Sequence, residues 1–288
     1  VMGALLLPVM LVAGWQDRPQ WPALLLWLVP IVEPPTAGWA EPVTGVLWYL
    51  VAYLWLVLLS PLLLRCYQRA RLMTVGTPIA GLATLENAPP ILGEALGSAA
   101  TDVLTFMSCW VLGFAHRGGD LKRIHLGVLI PLAATLVGAG LAWEITHPGD
   151  DGVDLSAEPV AYAVYSVGFV LLLLRVSPTM QWLNRRRFLN GFVNLCNARA
   201  VTIYLWHNTA ITLCFTVGSA IAVDRVGPHF EMAAFFAVAL VLLGGFIVVL
   251  GWVEDVAARR PVRLLPWSKV PSSRPRPVTP EWSGPIWF

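Results

Sequence analysis

The sequence has few charged residues and lacks the short motifs that mark many soluble enzymes. Asp, Glu, Lys and Arg make up 12% of its 288 residues, whereas a water-soluble domain carries about 25%. It contains no Walker sequence, GxGxxG stretch, EF-hand loop or internal repeat, which leaves nucleotide-driven transport without support. The four cysteines form no C-x-x-C pair, and none is placed for an extracellular disulfide or a metal site. The chain starts at Val1 in apolar sequence, with neither Met nor a charged leader, which predicts a truncated beginning.

Apolar residues, in contrast, are abundant. They make up 57% of the chain, and the mean hydropathy is +0.68. A transmembrane helix needs about 20 predominantly apolar residues, and most of the apolar runs approach that length. There are eight of them, at 1–14, 43–64, 74–85, 99–115, 126–146, 159–174, 200–222 and 232–252. The fold class predicted is therefore all-α, a polytopic transmembrane helix bundle with about eight spans.

The basic residues alternate between the gaps that separate these runs. All 19 Lys and Arg residues except Arg18 and Arg225 lie in every second gap, and most of the 17 acidic residues lie in the other gaps. The positive-inside rule makes the basic gaps cytoplasmic. The short run 74–85 is kept as a span because removing it would reverse the side of every later basic cluster. The pattern predicts an inner-membrane protein whose two chain ends are both cytoplasmic.

Three segments lie outside the predicted spans. Residues 15–42 form the longest outer connection, and within it the apolar stretch 23–32 is too short to cross a membrane. Residues 185–196 combine three arginines with an apolar stripe, which is typical of an interfacial helix. Such a helix either binds anionic lipid or forms a cationic mouth for an anionic substrate. Residues 258–288 are rich in Pro and predict a disordered cytoplasmic tail after a transmembrane domain at 1–257. The net charge of +2 gives no indication of nucleic-acid binding.

Ionisable residues are rare within the predicted spans. They are Asp102, Glu144 and His207, and an ionisable group inside a membrane is by default a candidate functional residue. Asp102 and Glu144 lie near outer span ends, where they either reach the headgroups or orient an acceptor hydroxyl. Tyr204, His207 and Asn208 share one helical face with Ala200. That face makes interhelical hydrogen bonds or lines a substrate site, in which His207 would act as a base.

Two stretches resemble the membrane-bound acyltransferase 3 family. One is Leu47-Trp48-Tyr49-Leu50 together with LWLVLLSP at 54–61, and the other is TIYLWH at 202–207. The family's members carry a Leu-Trp-(Phe/Tyr)-Leu stretch at the start of one helix and an Ile-Tyr-Leu-x-His stretch in a late helix. The resemblance implies a ten-helix bundle that transfers an acyl group, often acetyl from acetyl-CoA, to a hydroxyl group of a sugar, polysaccharide or lipid.

The same resemblance implies the roles of individual residues. Trp48, Tyr49, Tyr204 and His207 are expected to line a channel for the acyl donor together with Asn208. Arg199 and the arginines at 185–187, including Arg185 and Arg186, are expected near the CoA phosphates, and no metal is expected. The family's first helix carries an Arg and a His on which transfer depends. That helix is absent from these 288 residues, so the chain on its own is expected to lack its principal base and to be inactive.

Two other functions are consistent with the residues alone. A transporter would use His207, Glu144 and Asp102 as an intramembrane path for protons or substrate. A structural or sensing protein would use the same polar groups only for helix packing.

Overall fold

The structure is a computed structural model that describes residues 2–15, 19–87, 93–148, 152–177, 182, 185–223 and 227–262. Regular secondary structure in these residues is helical, which confirms the all-α prediction. The tail at 263–288 lies outside the described residues, as do Arg18, Arg225 and the outer acidic residues Asp17, Asp150, Asp151 and Asp224. The helices are α1 (Met2–Ala13), α2 (Trp21–Leu24), α3 (Glu41–Thr44), α4 (Leu47–Arg69), α5 (Arg71–Asn87), α6 (Glu94–Arg117), α7 (Asp120–Arg123), α8 (Leu126–Thr146), α9 (Pro159–Val176), α10 (Arg187–Ala198), α11 (Ala200–Ala220) and α12 (Pro228–Ala257).

Each of the eight apolar runs coincides with a helix. Among the described residues, six helices are long and apolar enough to cross a membrane, namely α4, α6, α8, α9, α11 and α12. The other two are shorter, with 12 residues in α1 and 17 in α5, and each contains a proline. At about 1.5 Å per residue, α5 rises about 25 Å, somewhat less than the roughly 30 Å of a bilayer core. The protein is a multi-pass membrane protein, and the count of eight spans stays a prediction.

Helices α4, α5, α6, α8 and α9 pack together into one bundle. The closest approach is between α8 and α9, where Gly140 and Gly168 face the partner backbone. A Cβ atom at Gly168 would lie 2.7 Å from the carbonyl oxygen of Ala133, and one at Gly140 would lie 2.7 Å from that of Ala161. Small residues at helix crossings allow such contact in membranes, where packing and not water exclusion drives association.

Helices α11 and α12 form a second, antiparallel pair. Their contact contains an ion pair at one end, where the Arg199 guanidinium lies 2.7 Å from Asp255 and donates to the Gly251 carbonyl. Next to it, the Glu254 carboxylate accepts hydrogen bonds from the backbone N–H of Thr202 at 3.2 Å and from its hydroxyl at 2.9 Å. An acidic group at a helix N-terminus pairs with the free N–H groups of the first turn, so Glu254 fixes where α11 begins.

The predicted outer segment reaches further into the molecule than the charge pattern indicates. Ala37 and Ala40 are buried against Met10 of α1, and the Tyr204 hydroxyl donates to the carbonyl of Val46, just before α4. Tyr204 lies five residues from Arg199, about 7 Å along the helix. The start of α4 is therefore beside the Arg199 half of α11.

This contact constrains the topology. The charge pattern puts the starts of α4 and α11 at opposite membrane faces, whereas the structure puts them side by side. Both statements hold only if the five-helix bundle and the α11–α12 pair are offset along the membrane normal by most of the roughly 30 Å that separates the two faces. The orientation of each helix in the membrane stays a prediction.

The predicted interfacial segment forms helix α10. None of its residues is buried, and Phe188 and Phe192 are exposed. The apolar and polar residues lie on opposite faces, as expected for a helix that lies along a membrane surface.

Candidate active site

Four of the residues predicted to line a site are joined by ring contacts. Trp48 and Tyr49 at the start of α4 have ring centroids 5.9 Å apart, and Tyr49 lies 5.2 Å from Tyr204 of α11. Tyr204 in turn lies 5.7 Å from His207. The structure therefore brings two sequence motifs, about 150 residues apart, into one aromatic row. Asn208 is half-buried on α11, next to His207.

The tautomer of His207 follows from its hydrogen bond. Its Nδ1 lies 2.6 Å from the backbone carbonyl oxygen of Tyr204. A carbonyl oxygen only accepts hydrogen bonds, so in the neutral imidazole this contact assigns the proton to Nδ1 and leaves the lone pair on Nε2. An imidazole held in this way is able to take a proton at Nε2, which is the requirement for a general base.

A cavity of about 370 Å³, which we call the outer cavity, lies between α4, α6 and the start of α9. It contains the predicted residue Asp102. Its lining combines two carboxylates with hydroxyl groups and aromatic rings, contributed by Glu33, Asp102, Ser98, Thr101, Thr105, Ser156, Tyr162, Trp48, Phe106 and Pro159. Trp48 and Phe106 stack with ring centroids 5.7 Å apart. Trp48 therefore belongs both to this cavity and to the row that leads to His207.

Glu33 reaches the outer cavity because the segment before it is held against α4 and α6. Val32 is buried against Val51 and Ala99, and the indole N–H of Trp55 donates to the Ile31 carbonyl at 2.8 Å. Much of the Glu33 side chain is exposed, but partial enclosure of its carboxyl group raises its pKa, and the charge of Glu41 adds to the effect. The cavity is therefore unfavourable for unpaired negative charge.

Glu144 does not line the outer cavity but supports one of its walls. Its side chain is 1% exposed, and its Oε1 accepts a hydrogen bond from the backbone N–H of Asp154 at 2.9 Å. The Asp154 carboxylate accepts from the backbone N–H of Ser156 at 2.9 Å and from its hydroxyl at 2.6 Å, and these bonds lower the pKa of Asp154. Ser156 lines the cavity. The structure thus shows Glu144 as a residue that positions an outer loop.

A second cavity, of about 290 Å³, continues along the same groove between α4, α6 and α9. We call it the aromatic slot. Phe106 lines both it and the outer cavity. The lining is apolar apart from tyrosine hydroxyls, an indole N–H and a thiol, and consists of Tyr49, Ala52, Tyr53, Leu56, Phe106, Cys109, Trp110, Gly113, Val170 and Leu174. The Trp110 indole N–H donates to the Ser60 hydroxyl at 2.8 Å, so its polar atom is satisfied and its ring faces are left for apolar contact.

A third cavity, of about 210 Å³, lies where α10, α11 and the end of α12 meet. We call it the basic cavity after Arg199 and Arg260, which line it together with Asp255. The Arg199 side chain is 3% exposed and its charge is paired with Asp255, whereas the Arg260 side chain is 43% exposed. Arg185 and Arg186 are exposed at the other end of α10 and do not line this cavity.

Sequence reasoning missed several residues of these sites. Asp255 and Glu254 were not considered, although two acidic residues at a predicted cytoplasmic span end depart from the charge pattern and indicate a basic partner. Phe106 and Tyr162, whose rings lie 5.8 Å apart, give no such signal because an aromatic residue in a span is ordinary. Their place in the outer cavity depends on how α6 and α9 pack.

The comparisons with known proteins agree with the resemblance in the sequence. The sequence model of a family described as "Acyltransferase domain", acyltransferase 3, matches residues 1–252. No curated protein and no solved structure matches the chain.

Proposed function

Since this chain belongs to the acyltransferase 3 family, we propose that it transfers an acyl group, acetyl in the simplest case, from acyl-CoA to a hydroxyl group of a carbohydrate or lipid acceptor. Family membership and the helical fold establish a membrane acyltransferase. The donor, the acceptor and the roles of the residues are our proposal. The transporter alternative gains no support from the comparisons.

The observation that carries the proposal is the contact of His207. Its Nδ1 lies 2.6 Å from a carbonyl oxygen, so Nε2 of the neutral ring is left to accept a proton, next to an aromatic row that ends at a cavity lined by hydroxyls and carboxylates. The acceptor hydroxyl attacks the thioester carbonyl, its proton passes to Nε2, the C–O bond forms and the C–S bond breaks. The proton then passes to the departing thiolate. Asp102 holds a further hydroxyl group of the acceptor in the outer cavity, at the other end of the aromatic row from His207, and Glu144 positions the loop that carries Ser156.

The basic cavity is the proposed site for the phosphates of the donor. Arg260 lines the cavity with a side chain that is 43% exposed, and its guanidinium also lies 3.9 Å from Asp255 and 4.0 Å from Glu254. Arg185 and Arg186 add positive charge at the other end of α10. Because Arg199 is already paired with Asp255, it acts by holding the cavity wall and contributes less of its own charge. His207 lies eight residues, about 12 Å, along α11 from Arg199. The extended pantetheine arm of CoA is long enough to cover this distance.

Radiolabelled acetyl transfer tests the proposal, with protein expressed from its whole reading frame and purified in detergent. We expect His207→Ala to lower the rate about 100-fold or more. Its thermal unfolding midpoint should stay close to that of the wild type, so that unfolding does not explain the loss. His125→Asn is the matched control, because His125 is an exposed residue that caps α8 and Asn retains capping ability. Full activity of His207→Ala would remove His207 from the site.

The phosphate site is tested by Arg260→Gln, which we expect to raise the KM for acetyl-CoA with a smaller effect on kcat. Arg259→Gln, one residue earlier and also exposed, is the control. An unchanged KM for Arg260→Gln would contradict the assignment of the basic cavity to the donor.

A further inference from the structure

Two cavities of opposite character lie end to end between α4, α6 and α9. We propose that the outer cavity and the aromatic slot together bind one amphiphilic acceptor, a glycolipid whose hydroxyl-bearing headgroup occupies the outer cavity and whose alkyl chain lies along the slot. This inference rests on the proposed function and narrows its acceptor class from any sugar or lipid to a sugar carried on a lipid.

The outer cavity has the chemistry of a polyol site. Its serine and threonine hydroxyls both donate and accept, and its carboxylates accept. Among the described residues, neither Glu33 nor Asp102 has a cationic group within 4.0 Å, so both keep their acceptor capacity for hydroxyl groups of a ligand. The stacked rings of Trp48 and Phe106 offer an apolar surface for the C–H face of a sugar.

The aromatic slot has no such polar partners. Tyr49 and Tyr53 have ring centroids 6.4 Å apart, and Tyr53 meets Trp110 edge-on at 5.8 Å. Tyr49 and Tyr53 are 43% and 42% exposed, so the slot opens sideways to the surface of the bundle, where the bilayer lies. A hydrocarbon chain is able to enter from the lipid without crossing a polar barrier.

The two cavities share a wall, and this favours one ligand over two. Phe106 lines both, and Trp48 of the outer cavity contacts Tyr49 of the slot edge-on at 5.9 Å. From Phe106 to Gly113, at the far end of the slot, α6 rises about 10 Å. A polar headgroup with an attached chain matches this order, with hydroxyls and carboxylates first and apolar side chains after them.

Gly113 provides a selective way to fill the slot. It lines the slot, and a Cβ atom at this position would have no neighbour within 4 Å. A leucine there therefore begins in open space and adds its side chain at the wall of the slot. Gly138 on α8 also has open space at its Cβ and lines neither cavity, so Gly138→Leu is the matched control.

Binding is measured without reference to catalysis, on protein in lipid nanodiscs. The probe is an octyl glucoside with bromine at the end of the chain, which quenches tryptophan fluorescence on contact. We expect saturable quenching that is reduced in Trp110→Phe. Gly113→Leu is expected to weaken binding by roughly tenfold or more, because several methylene groups lose their apolar surroundings, whereas Gly138→Leu stays within about twofold. Asp102→Asn is expected to weaken binding of the glucoside.

The comparison probe is bromooctane, which has the chain but no headgroup. Equal saturable quenching by bromooctane and by the glucoside would reduce the slot to an ordinary lipid site and overturn the inference, as would binding that Gly113→Leu leaves unchanged. Binding of the glucoside without any acyl transfer would contradict the proposed function and leave the inference intact. Acyl transfer is also compared with octyl glucoside and methyl glucoside as acceptors. If Gly113→Leu prefers octyl glucoside as strongly as the wild type does, only the inference is contradicted.

Discussion

Removing one partner of the Arg199–Asp255 pair is predicted to destabilise the protein strongly. The pair joins α11 to α12 at a distance of 2.7 Å, and the two side chains are 3% and 5% exposed. Asp255→Ala leaves the guanidinium buried beside a helix, with the Gly251 carbonyl as a remaining acceptor. A buried charge that loses its partner costs about 3–5 kcal/mol. The expected loss in free energy of unfolding is of this size.

The matched control is an ion pair whose cation is exposed and whose carboxylate, Asp120, keeps Arg71 as a second partner at 3.0 Å. The Arg123 side chain is 75% exposed and lies 3.6 Å from Asp120. Exposed pairs contribute about 0.5 kcal/mol or less, because solvent screens them and two long side chains lose freedom. Arg123→Gln should therefore leave the free energy of unfolding nearly unchanged.

The double variant Arg199→Met with Asp255→Leu removes both charges of the pair at once. Replacing both charges with apolar residues removes the desolvation cost together with the attraction, so we expect a smaller loss than in Asp255→Ala alone. The assay is a denaturant titration in mixed micelles, followed by tryptophan fluorescence for all four proteins. If Asp255→Ala cost no more than Arg123→Gln, or if the double variant lost more stability than Asp255→Ala, the buried pair would not hold the two helices together.

Further variants test other parts of the structure. Gly168→Ala should cost about 1–3 kcal/mol, since its Cβ would lie 2.7 Å from a carbonyl oxygen of α8. Gly138→Ala on open surface should be neutral or slightly stabilising, and equal unfolding midpoints for the two would refute the close crossing. Glu33→Gln should raise the melting temperature near neutral pH and have no effect below 4.5, the ordinary pKa of Glu33, because the folded state raises this pKa and disfavours the charged form. A benefit that grew as the pH fell would have the wrong sign. Glu144→Ala should speed hydrogen exchange at the Asp154 amide, which loses its acceptor, and unchanged exchange would show that Glu144 does not hold the loop.

The helices could be predicted from the sequence because long apolar runs in a membrane have few alternatives to helix. The resemblance to a known family pointed to Trp48, Tyr49, Tyr204 and His207, and the structure brings their rings together, while their roles stay predictions. The amphipathic stripe that predicted helix α10 is present in the structure.

The contacts between helices could not be predicted. Tyr204 and Val46 are separated by 158 residues, and no periodicity in the sequence links them. The partner of Arg199 was missed for the same reason, since Asp255 lies 56 residues further along the chain. The depth of residues 37–46 depends on these contacts, and a charge pattern reports only which side of the membrane a segment faces.

These contacts shorten the proposed route between donor and acceptor. The charge pattern assigns the Arg199 end of α11 to the cytoplasm and the start of α4 to the outside. The rings of Trp48, Tyr49, Tyr204 and His207 join the two regions. If the offset between the helix groups exists in the membrane, a donor from one side and an acceptor from the other reach the same imidazole.

The most direct test is vectorial acyl transfer in sealed membrane vesicles, with labelled acetyl-CoA added outside and an alkyl glycoside acceptor enclosed. In inverted vesicles, whose cytoplasmic face is outward, we predict that acetylated acceptor accumulates inside and that His207→Ala abolishes this accumulation. Right-side-out vesicles should give none. Equal product in both orientations, or product in inverted vesicles that persists in His207→Ala, would contradict the account.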